Sequence, residues 1–334
     1  STTSVYGNSI KNGILLAANK INTGTANAKI RFELKIEDTA GNPDSALFVL
    51  KKLYNEGVSA ILGPTLSAEM MVIGPEAEKL GLPILATSNT VKGVAQLGKY
   101  IFRDSIGEEL AVPAAIKKAI EKFNYKTAAL IFCADDLHTK YSAELMKETA
   151  EKMGMKIITV QSFNKNDQDF TTQLTKIKKA KPDVILCSSF SNEAMLILIA
   201  ARKLGITQNF IGGNGLNSAK IIETARESAN GVIVASPWFA GRVEDYAVDF
   251  INKYEKKYGI KPDQFAAQAY DGFSIIAAAV QRANNIDRAM IRAELSLTKD
   301  FRGALGTLSF DADGDVIMQP KVLIIKDGGY QILQ

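Results

Sequence analysis

The sequence predicts an α/β fold made of two doubly wound lobes, each a parallel sheet covered by helices on both faces. The first supporting observation is length, because 334 residues are more than one hydrophobic core usually holds. The second is a regular alternation of strand-like apolar runs with amphipathic helical patterns. The third is that this alternation stops near residues 102–104 and then begins again.

The first series of elements opens with a helix over residues 8–22, whose apolar side chains recur at helical spacing. Residues 30–36 alternate apolar and charged side chains, which predicts a strand. A helix follows over 43–52, because Pro43 suits a first helical turn. The remaining elements are a strand at 58–62, a helix at 67–80 that Gly74-Pro75 should kink or split, and a strand at 83–86.

The second series is longer and ends differently. Its predicted helices are 108–123, 141–153, 169–180, 192–204 and 218–226, and its strands are 127–133, 156–163, 183–187, 209–212 and 231–235. Helical patterns then cover 243–258, 263–283 and 286–296. Short strands joined by polar turns are predicted at 306–310, 322–326 and 330–333.

The composition is that of a soluble globular protein, with 46% hydrophobic and 23% charged residues. No apolar run approaches the ~20 residues that a membrane-spanning helix needs. The net charge of +4 comes from 40 basic and 36 acidic residues spread along the chain, which disfavours a nucleic-acid partner.

The chain has two cysteines and one histidine, which excludes a structural zinc site built from Cys and His. Cys133 and Cys187 each end a predicted apolar strand, and we interpret them as small buried hydrophobic residues. A disulfide between them remains an alternative at this stage.

Polar residues collect just after the predicted strands, where open α/β sheets bind their ligands. These clusters are Ser67, Thr87–Thr90, Ala134–His138, Ser188–Asn192 and Gly213–Gly215. They are rich in hydroxyl and amide side chains and poor in charge, so they suit hydrogen bonding to a small polar group better than acid–base catalysis. We therefore predict a binding site at this edge.

Ser67, in the stretch GPTLSAEM, has two interpretations. Its hydroxyl can cap the helix that follows, by accepting a hydrogen bond from an unpaired backbone N–H. Alternatively, the strand end and the exposed N–H groups of the helix form a seat for an anion, with Ser67 as one of its donors.

Enzyme signatures are missing from the sequence. No GxGxxG motif follows a predicted strand, and neither a P-loop nor a GxSxG elbow occurs. His138 lies in a predicted polar loop beside Asp135 and Asp136, without a nucleophile in the expected context, so we place it at the surface or the rim of the site. Asp311–Asp315 lacks the flanking helices and closing glutamate of a calcium loop and is interpreted as an acidic turn. We predict no enzyme activity, no metal and no cofactor.

A series of short motifs occurs in a specific order and spacing. They are Tyr6-Gly7, Ala17–Asn22, Asp38, Asn42-Pro43, Gly57–Pro64 with Ser67, Pro83–Ser88, Phe102-Arg103, Asp169-Phe170, Lys181–Asp183 and Ala269–Asp271. Over almost its whole length the chain resembles the leucine/isoleucine/valine-binding family of type I periplasmic binding proteins, the ligand-capturing components of ABC importers. No single motif is diagnostic, whereas their order is.

The resemblance implies two lobes with a ligand clamped between them and a three-stranded hinge. The crossings are expected near 103–105, 235–239 and 309–316. The first lobe would hold 1–103 with 238–310, and the second 104–237 with 317–334. It also implies a monomer in the periplasm or at the cell surface that delivers its ligand to a membrane permease, with a signal peptide that is not in this sequence.

The resemblance assigns ligand contacts residue by residue. The serine matching Ser67 binds the ligand carboxylate with backbone N–H groups, Ser88 contributes its backbone and Thr90 its hydroxyl. Among aromatic residues, Tyr6 covers the side-chain pocket and Tyr270 lines it. Phe190 stands where branched-chain binders have a tyrosine, and Trp238 forms either a wall of the site or interlobe packing.

Three departures from the family pattern bear on the ligand. Leu137-His138 replaces the usual Tyr-Gly, so an aromatic lid is missing and Leu137 takes its position. Asn214 stands where amino-acid binders often carry an acid that pairs with the ligand ammonium, although Asp136 or Glu193 could supply that charge. The family's first strand, which precedes the residue matching Tyr6, is not in this sequence, and we expect the native protein to have it.

These observations predict a solute-binding protein for a small carboxylate, with an apolar or branched-chain amino acid as the leading ligand class. One alternative is an amine-free aromatic or aliphatic carboxylate, which Asn214 would suit. Another is a ligand-sensing domain of the same fold that acts in signalling with a partner. An α/β enzyme is disfavoured because only Asp135, Asp136 and His138 approach a titratable cluster.

Overall fold

The computed structural model describes residues 4–24, 30–241 and 244–334. Its chain divides into two compact units. The first unit contains Tyr6–Ile106 and Arg242–Gln319, and the second contains Gly107–Gly241 and Pro320–Gln334. Each unit is described separately below.

The structure is α/β throughout. The helices are α1 Ser4–Gly24, α2 Pro43–Asn55, α3 Ser67–Leu80, α4 Glu108–Phe123, α5 Leu137–Lys152, α6 Thr171–Ala180, α7 Ser191–Lys203, α8 Ala219–Ala225, α9 Asp245–Tyr258, α10 Gln264–Ala283 and α11 Arg288–Ser296. The strands are β1 Ile61–Leu62, β2 Ile84–Ala86, β3 Ile101–Arg103, β4 Thr127–Cys133, β5 Lys156–Phe163, β6 Val184–Ser188, β7 Asn209–Gly212, β8 Val232–Ser236, β9 Phe301–Gly303, β10 Gly306–Phe310, β11 Val316–Ile317, β12 Lys321–Lys326 and β13 Gly329–Ile332. Of these, β3, β9 and β11 are too short to be visible in the sequence pattern.

The second unit is built on one seven-stranded sheet in the order β13-β12-β8-β7-β6-β4-β5. Strands β4 to β8 pair in parallel, whereas β12 pairs antiparallel with both β8 and β13. The central strands are buried apolar runs because helices cover both faces of a parallel sheet. One core cluster, which includes Ile131, Ile185 and Val234, packs against α6, α7 and α8. This order places the carboxyl ends of β4, β6 and β7 side by side.

The first unit has a smaller sheet in which β1, β2 and β3 pair in parallel. A separate antiparallel sheet joins β9, β10 and β11. The strands of the parallel sheet share a core with α2 and α3, in which Leu50, Met70 and Ile84 are buried. The carboxyl ends of β1 and β2 are again neighbours, which brings the segments after them together.

The predicted strand over residues 30–36 is wrong, because the structure gives this segment no strand partner. The backbone N–H of Phe32 donates to the side-chain oxygen of Asn22 at 2.9 Å, and its carbonyl accepts from the Asn22 amide nitrogen at 2.9 Å. One amide side chain of α1 therefore satisfies both backbone groups that a neighbouring strand would have satisfied. The apolar–charged alternation correctly reflected a half-buried extended segment but could not specify a partner.

Two helix predictions also need correction. Helix α3 runs through Gly74-Pro75 as one element, so the predicted split is wrong. Gly74 packs so closely on Leu97 that an added Cβ would lie 2.6 Å from that side chain, and this contact holds the helix against its neighbour. Helix α5 begins at Leu137, ahead of the predicted start at residue 141, because Asp136 caps it.

Candidate functional site

In the first unit, hydroxyl side chains from the ends of β1 and β2 form one connected group. The backbone N–H of Thr90 donates to the Ser67 hydroxyl oxygen at 3.2 Å, and the Ser88 hydroxyl donates to the carbonyl of Thr65 at 2.7 Å. Ser67, Ser88 and Thr90 are all buried. The structure thus brings together the three residues that the sequence assigned to carboxylate binding.

Ser67 does not cap α3, so the capping interpretation is wrong. Leu66 occupies the N-cap position, and its backbone N–H donates to the carboxylate of Glu69 at 2.9 Å. Glu69 also accepts a hydrogen bond from the hydroxyl of Thr39, and burial raises its pKa. Because Glu69 satisfies the helix terminus, the Ser67 side chain is left for another contact.

Thr90 supplies the clearest vacant hydrogen-bonding group of this seat. Its hydroxyl oxygen is buried and has no hydrogen-bond partner among the described residues. An unpaired buried hydroxyl costs free energy unless a ligand or water satisfies it. Thr90 and Ser67 lie at the N-terminal end of α3, where unpaired backbone N–H groups and the helix dipole favour an anion. This arrangement can bind a carboxylate.

The aromatic residues predicted in the first unit are buried on its helices. The ring of Tyr6 lies 4.7 Å from the ring of Phe265 on α10. Tyr270, also on α10, accepts a hydrogen bond from the Lys20 ammonium at 3.0 Å and packs 4.8 Å from Phe250. The Lys20 contact engages the Tyr270 hydroxyl, which narrows the part of this residue available to a ligand to its ring.

In the second unit, Asp136 and His138 follow β4 and are fixed by the start of α5. Asp136 accepts hydrogen bonds from the backbone N–H groups of His138 at 2.9 Å and Thr139 at 3.2 Å. Lys165 pairs with the same carboxylate at 3.0 Å. His138 is therefore buried in a helix and not in the polar loop that the sequence suggested, whereas Leu137 before it is 44% exposed.

Glu108 is the site residue that sequence reasoning missed. It is fully buried in the first turn of α4, and one of its oxygens lies 3.0 Å from Nε2 of His138. The same oxygen accepts the backbone N–H of Asn214 at 2.8 Å. Burial lowers the pKa of His138, but the hydrogen bond and charge of Glu108 and the charge of Asp136 more than offset this, so its pKa is raised overall.

Phe190 and Asn214 complete this group at the ends of β6 and β7. The ring of Phe190 stacks on His138 with 5.9 Å between centroids, and the Lys165 ammonium lies 5.8 Å from the Phe190 ring centroid. Asn214 opens the 3₁₀ turn Asn214–Leu216 and is bound to Glu108 through its backbone. The ends of three adjacent strands are thus linked by the Glu108–His138 pair.

Glu193, the other acid considered as a source of negative charge, lies in the first turn of α7. One of its oxygens accepts the backbone N–H of Asn166 at 3.2 Å, and the other has no hydrogen-bond partner among the described residues. It is buried, so its unpaired oxygen is a candidate acceptor for a ligand N–H.

Trp238 is buried within the second unit. Its carbonyl accepts from the Ser236 hydroxyl at 2.7 Å and its N–H donates to the same oxygen at 3.1 Å. These bonds hold the backbone at the end of β8, and a role for Trp238 in ligand binding stays a prediction.

The remaining sequence motifs have structural roles. Cys133 and Cys187 are both buried free thiols, so the disulfide alternative is wrong. The turn over 311–315 is closed by Asp311, whose carboxylate accepts the backbone N–H groups of Asp313 and Asp315 at 2.9 Å each. Within 4–24, 30–241 and 244–334, no group of three or more His, Cys, Asp or Glu side chains is arranged to hold a metal ion. In the same ranges no helix is long and apolar enough to cross a membrane.

Comparisons with known proteins agree with this architecture. Residues 1–329 match the periplasmic binding protein family. A leucine-, isoleucine-, valine-, threonine- and alanine-binding protein of Pseudomonas aeruginosa is 26% identical over 93% of this chain and 83% of its own length.

Two solved structures show the same fold. The branched-chain amino acid transporter substrate-binding protein LivJ of Streptococcus pneumoniae, in complex with isoleucine, superposes with a TM-score of 0.92 at 28% identity, over 98% of this chain and 93% of that one. A solute-binding protein of an ABC transporter from Rhodopseudomonas palustris, in complex with 3,4-dihydroxybenzoic acid, has a TM-score of 0.89 at 20% identity, over 99% and 92%.

The fold is that of a type I periplasmic binding protein, as the sequence motifs implied. Proteins of this family and fold are substrate-binding proteins and not enzymes, and the family implies an extracytoplasmic location. The hydroxyl seat at the start of α3, the order of the strands and the match across the chain lead to one assignment. This chain belongs to the periplasmic binding protein family, among its leucine/isoleucine/valine-binding members.

Proposed function

We propose that this chain is the solute-binding protein of an ABC importer and that it captures a small carboxylate, an apolar or branched-chain amino acid. The observation that carries the proposal is the pair of hydroxyls at the start of α3, where the Ser67 oxygen contacts the Thr90 backbone and the Thr90 hydroxyl has no partner among the described residues. Each hydrogen bond to a charged ligand group contributes ~1.5–3 kcal/mol. Three or four of them suffice for micromolar affinity after the cost of association.

The relatives support the amino-acid class. The Pseudomonas relative is named for five apolar or small amino acids, and the Streptococcus structure contains isoleucine. In this proposal Ser67, Ser88 and Thr90 bind the ligand carboxylate. Tyr6, Tyr270, Phe190 and Leu137 surround its side chain, and closure about the hinge segments retains it. A membrane permease then receives the ligand from the monomeric protein.

A second candidate ligand class is supported by Asn214. Its amide brings no charge to the position where amino-acid binders often carry an acid, so it favours an ammonium less than a carboxylate would. The Rhodopseudomonas structure, which shares the fold, holds an aromatic acid without an amine. An aromatic or aliphatic carboxylate is therefore the alternative that the experiment must separate from an amino acid.

The deciding experiment is a thermal-shift screen of protein that has been unfolded, dialysed and refolded to remove bound ligand. The panel contains the standard amino acids, their deaminated keto acids and several benzoates, because a ligand that binds only the native state raises its melting temperature. A shift with isoleucine, leucine or valine supports the amino-acid proposal, and a shift with amine-free acids alone supports the alternative. Absence of any shift across the panel would contradict carboxylate capture.

A further inference from the structure

Arg103 is one of the largest fully buried side chains in the structure, with 1% of its surface exposed. A guanidinium keeps its charge in a protein, so burying it is costly unless its donors are satisfied. Arg103 ends β3, close to the point at which the chain leaves the first unit after Ile106. Its partners show what this buried charge holds in place.

On one side the guanidinium meets Asp315 in a two-bond fork. Its Nε donates to one carboxylate oxygen at 2.7 Å, and Nη2 contacts the other. The backbone N–H of Arg103 also donates to the carbonyl of Gly314 at 2.9 Å. Bidentate pairs of this kind fix the plane of the guanidinium as well as neutralising it. Asp315 therefore orients Arg103.

On the other side the same guanidinium holds the chain around Thr90. Its Nη1 donates to the carbonyl of Val91 at 3.0 Å and contacts the carbonyl of Asn89 at 3.4 Å. The Ser105 hydroxyl donates to the Asn89 carbonyl at 2.8 Å. The two carbonyls that flank Thr90 are thus fixed by one side chain and its near neighbour.

We propose that Arg103, oriented by Asp315, is the positioning residue that sets the conformation of Thr90 in the carboxylate seat. The inference rests on the proposed function for the identity of that seat, although the positioning itself is a property of the ligand-free chain. A lysine at this site would keep the charge but lose the planar fork that reaches Asp315 and both carbonyls together.

The test compares Arg103→Lys and Asp315→Asn with a matched control. Arg282→Lys changes an arginine of the same unit whose Nε donates to Glu294 at 2.8 Å and whose Nη2 donates to the Glu294 carbonyl at 2.7 Å. That pair is exposed and joins α10 to α11, so its loss tests the general effect of replacing an arginine fork. Asp315→Glu, which restores the carboxylate, serves as the conservative rescue of Asp315→Asn.

The first readout is amide hydrogen exchange in ligand-free protein. We expect Thr90 and Val91 to exchange at least about tenfold faster in Arg103→Lys and Asp315→Asn, partly restored in Asp315→Glu and unchanged in Arg282→Lys. Exchange at residues 89–91 within about twofold of wild type in both seat variants would overturn the proposal. If Arg103→Lys does not fold, Asp315→Asn alone decides.

The second readout is calorimetric affinity for isoleucine and for 3,4-dihydroxybenzoate. We expect whichever acid binds wild type to bind Arg103→Lys and Asp315→Asn about tenfold or more weakly, with Arg282→Lys unaffected. Faster exchange with unchanged affinity would overturn the link between Arg103 and the seat. If wild type binds neither acid but exchange at Thr90 accelerates, the positioning of Thr90 by Arg103 stands and the proposed ligand class fails.

Discussion

Nε2 of His138 lies 3.0 Å from the carboxylate oxygen of Glu108 that also accepts the backbone N–H of Asn214. The only histidine of the chain is therefore joined through one buried atom to the residue that departs from the family pattern in charge. His138 in turn stacks on Phe190, so the conformations at the ends of β4, β6 and β7 depend on one ion pair. This dependence makes the second unit sensitive to the protonation of a single ring.

The free energy of unfolding should fall as the pH rises through the pKa of His138. Its folded pKa is raised above the ordinary value, so the stabilisation is fully present below the unfolded pKa and is lost as the pH rises through the folded one. Urea unfolding from about pH 6 to 9 measures this slope, and His138→Gln should reduce it. Because there is one histidine, the proton resonances of its ring report its pKa directly. An identical slope in His138→Gln would contradict the assignment.

Removing either hydroxyl of the carboxylate seat should weaken ligand binding without unfolding the protein. We expect Ser67→Ala and Thr90→Ala each to cost about 1–3 kcal/mol of binding free energy, because each deletes a hydrogen bond to a charged group. Thr298→Ala is the matched control, since it removes another buried hydroxyl that has no partner among the described residues. Calorimetric titration checks all three. Unchanged affinity in both seat variants would remove the seat from the proposed function.

A carboxylate at residue 214 should distinguish the two ligand classes. Asn214→Asp adds a negative charge beside Glu108, and it should tighten binding of a ligand with an ammonium and weaken binding of a bare carboxylate. Titration of the variant with isoleucine and with 3,4-dihydroxybenzoate gives the sign. No change with an acid that binds wild type would mean that residue 214 does not contact the ligand.

Asp263→Asn should stabilise the protein at neutral pH. Burial raises the pKa of Asp263 from 3.8 to about 6, although its carboxylate accepts hydrogen bonds from the Ala266 N–H and the Ser9 hydroxyl, each at 3.0 Å. An acid whose folded pKa exceeds its unfolded pKa destabilises the fold at higher pH, by about 1.4 kcal/mol for each pH unit that separates the two pKa values. Asparagine can still cap α10, so we expect a gain on the order of 1–3 kcal/mol.

The measurement for Asp263→Asn is urea unfolding at about pH 5 and pH 7.5. Wild type should become more stable as the pH falls through about 6, and the variant should lack this contribution. A variant that is less stable than wild type at the higher pH would show that the negative charge of Asp263 is needed.

The sequence predicted the second unit well, because its strands are buried on both faces and appear as continuous apolar runs between polar turns. Strands β4, β5 and β7 have the predicted bounds. Residues 30–36 were mispredicted because alternation reports which face is buried, whereas the Asn22 side chain that satisfies Phe32 lies in another element. Local pattern carries no information on such a partner.

The same limit applies to the site. Ser67, Thr90 and Asn214 could be selected because each follows a strand, where ligands of this fold class bind. Glu108 could not, since an acid in a first helical turn is also what the helix dipole favours, and its partners His138 and Asn214 are distant in sequence. Arg103 was noticed only within a family motif, and its contact with Asp315 depends on the tertiary fold.

The two buried thiols make this protein a convenient scaffold for a fluorescent sensor. Burial raises the pKa of Cys133 and of Cys187 to about 12, so neither forms an appreciable thiolate at neutral pH. A maleimide dye would therefore react selectively with a cysteine introduced at an exposed position such as Leu137. No native cysteine needs to be removed first, and the labelled Leu137→Cys variant would report ligand capture as a change in emission.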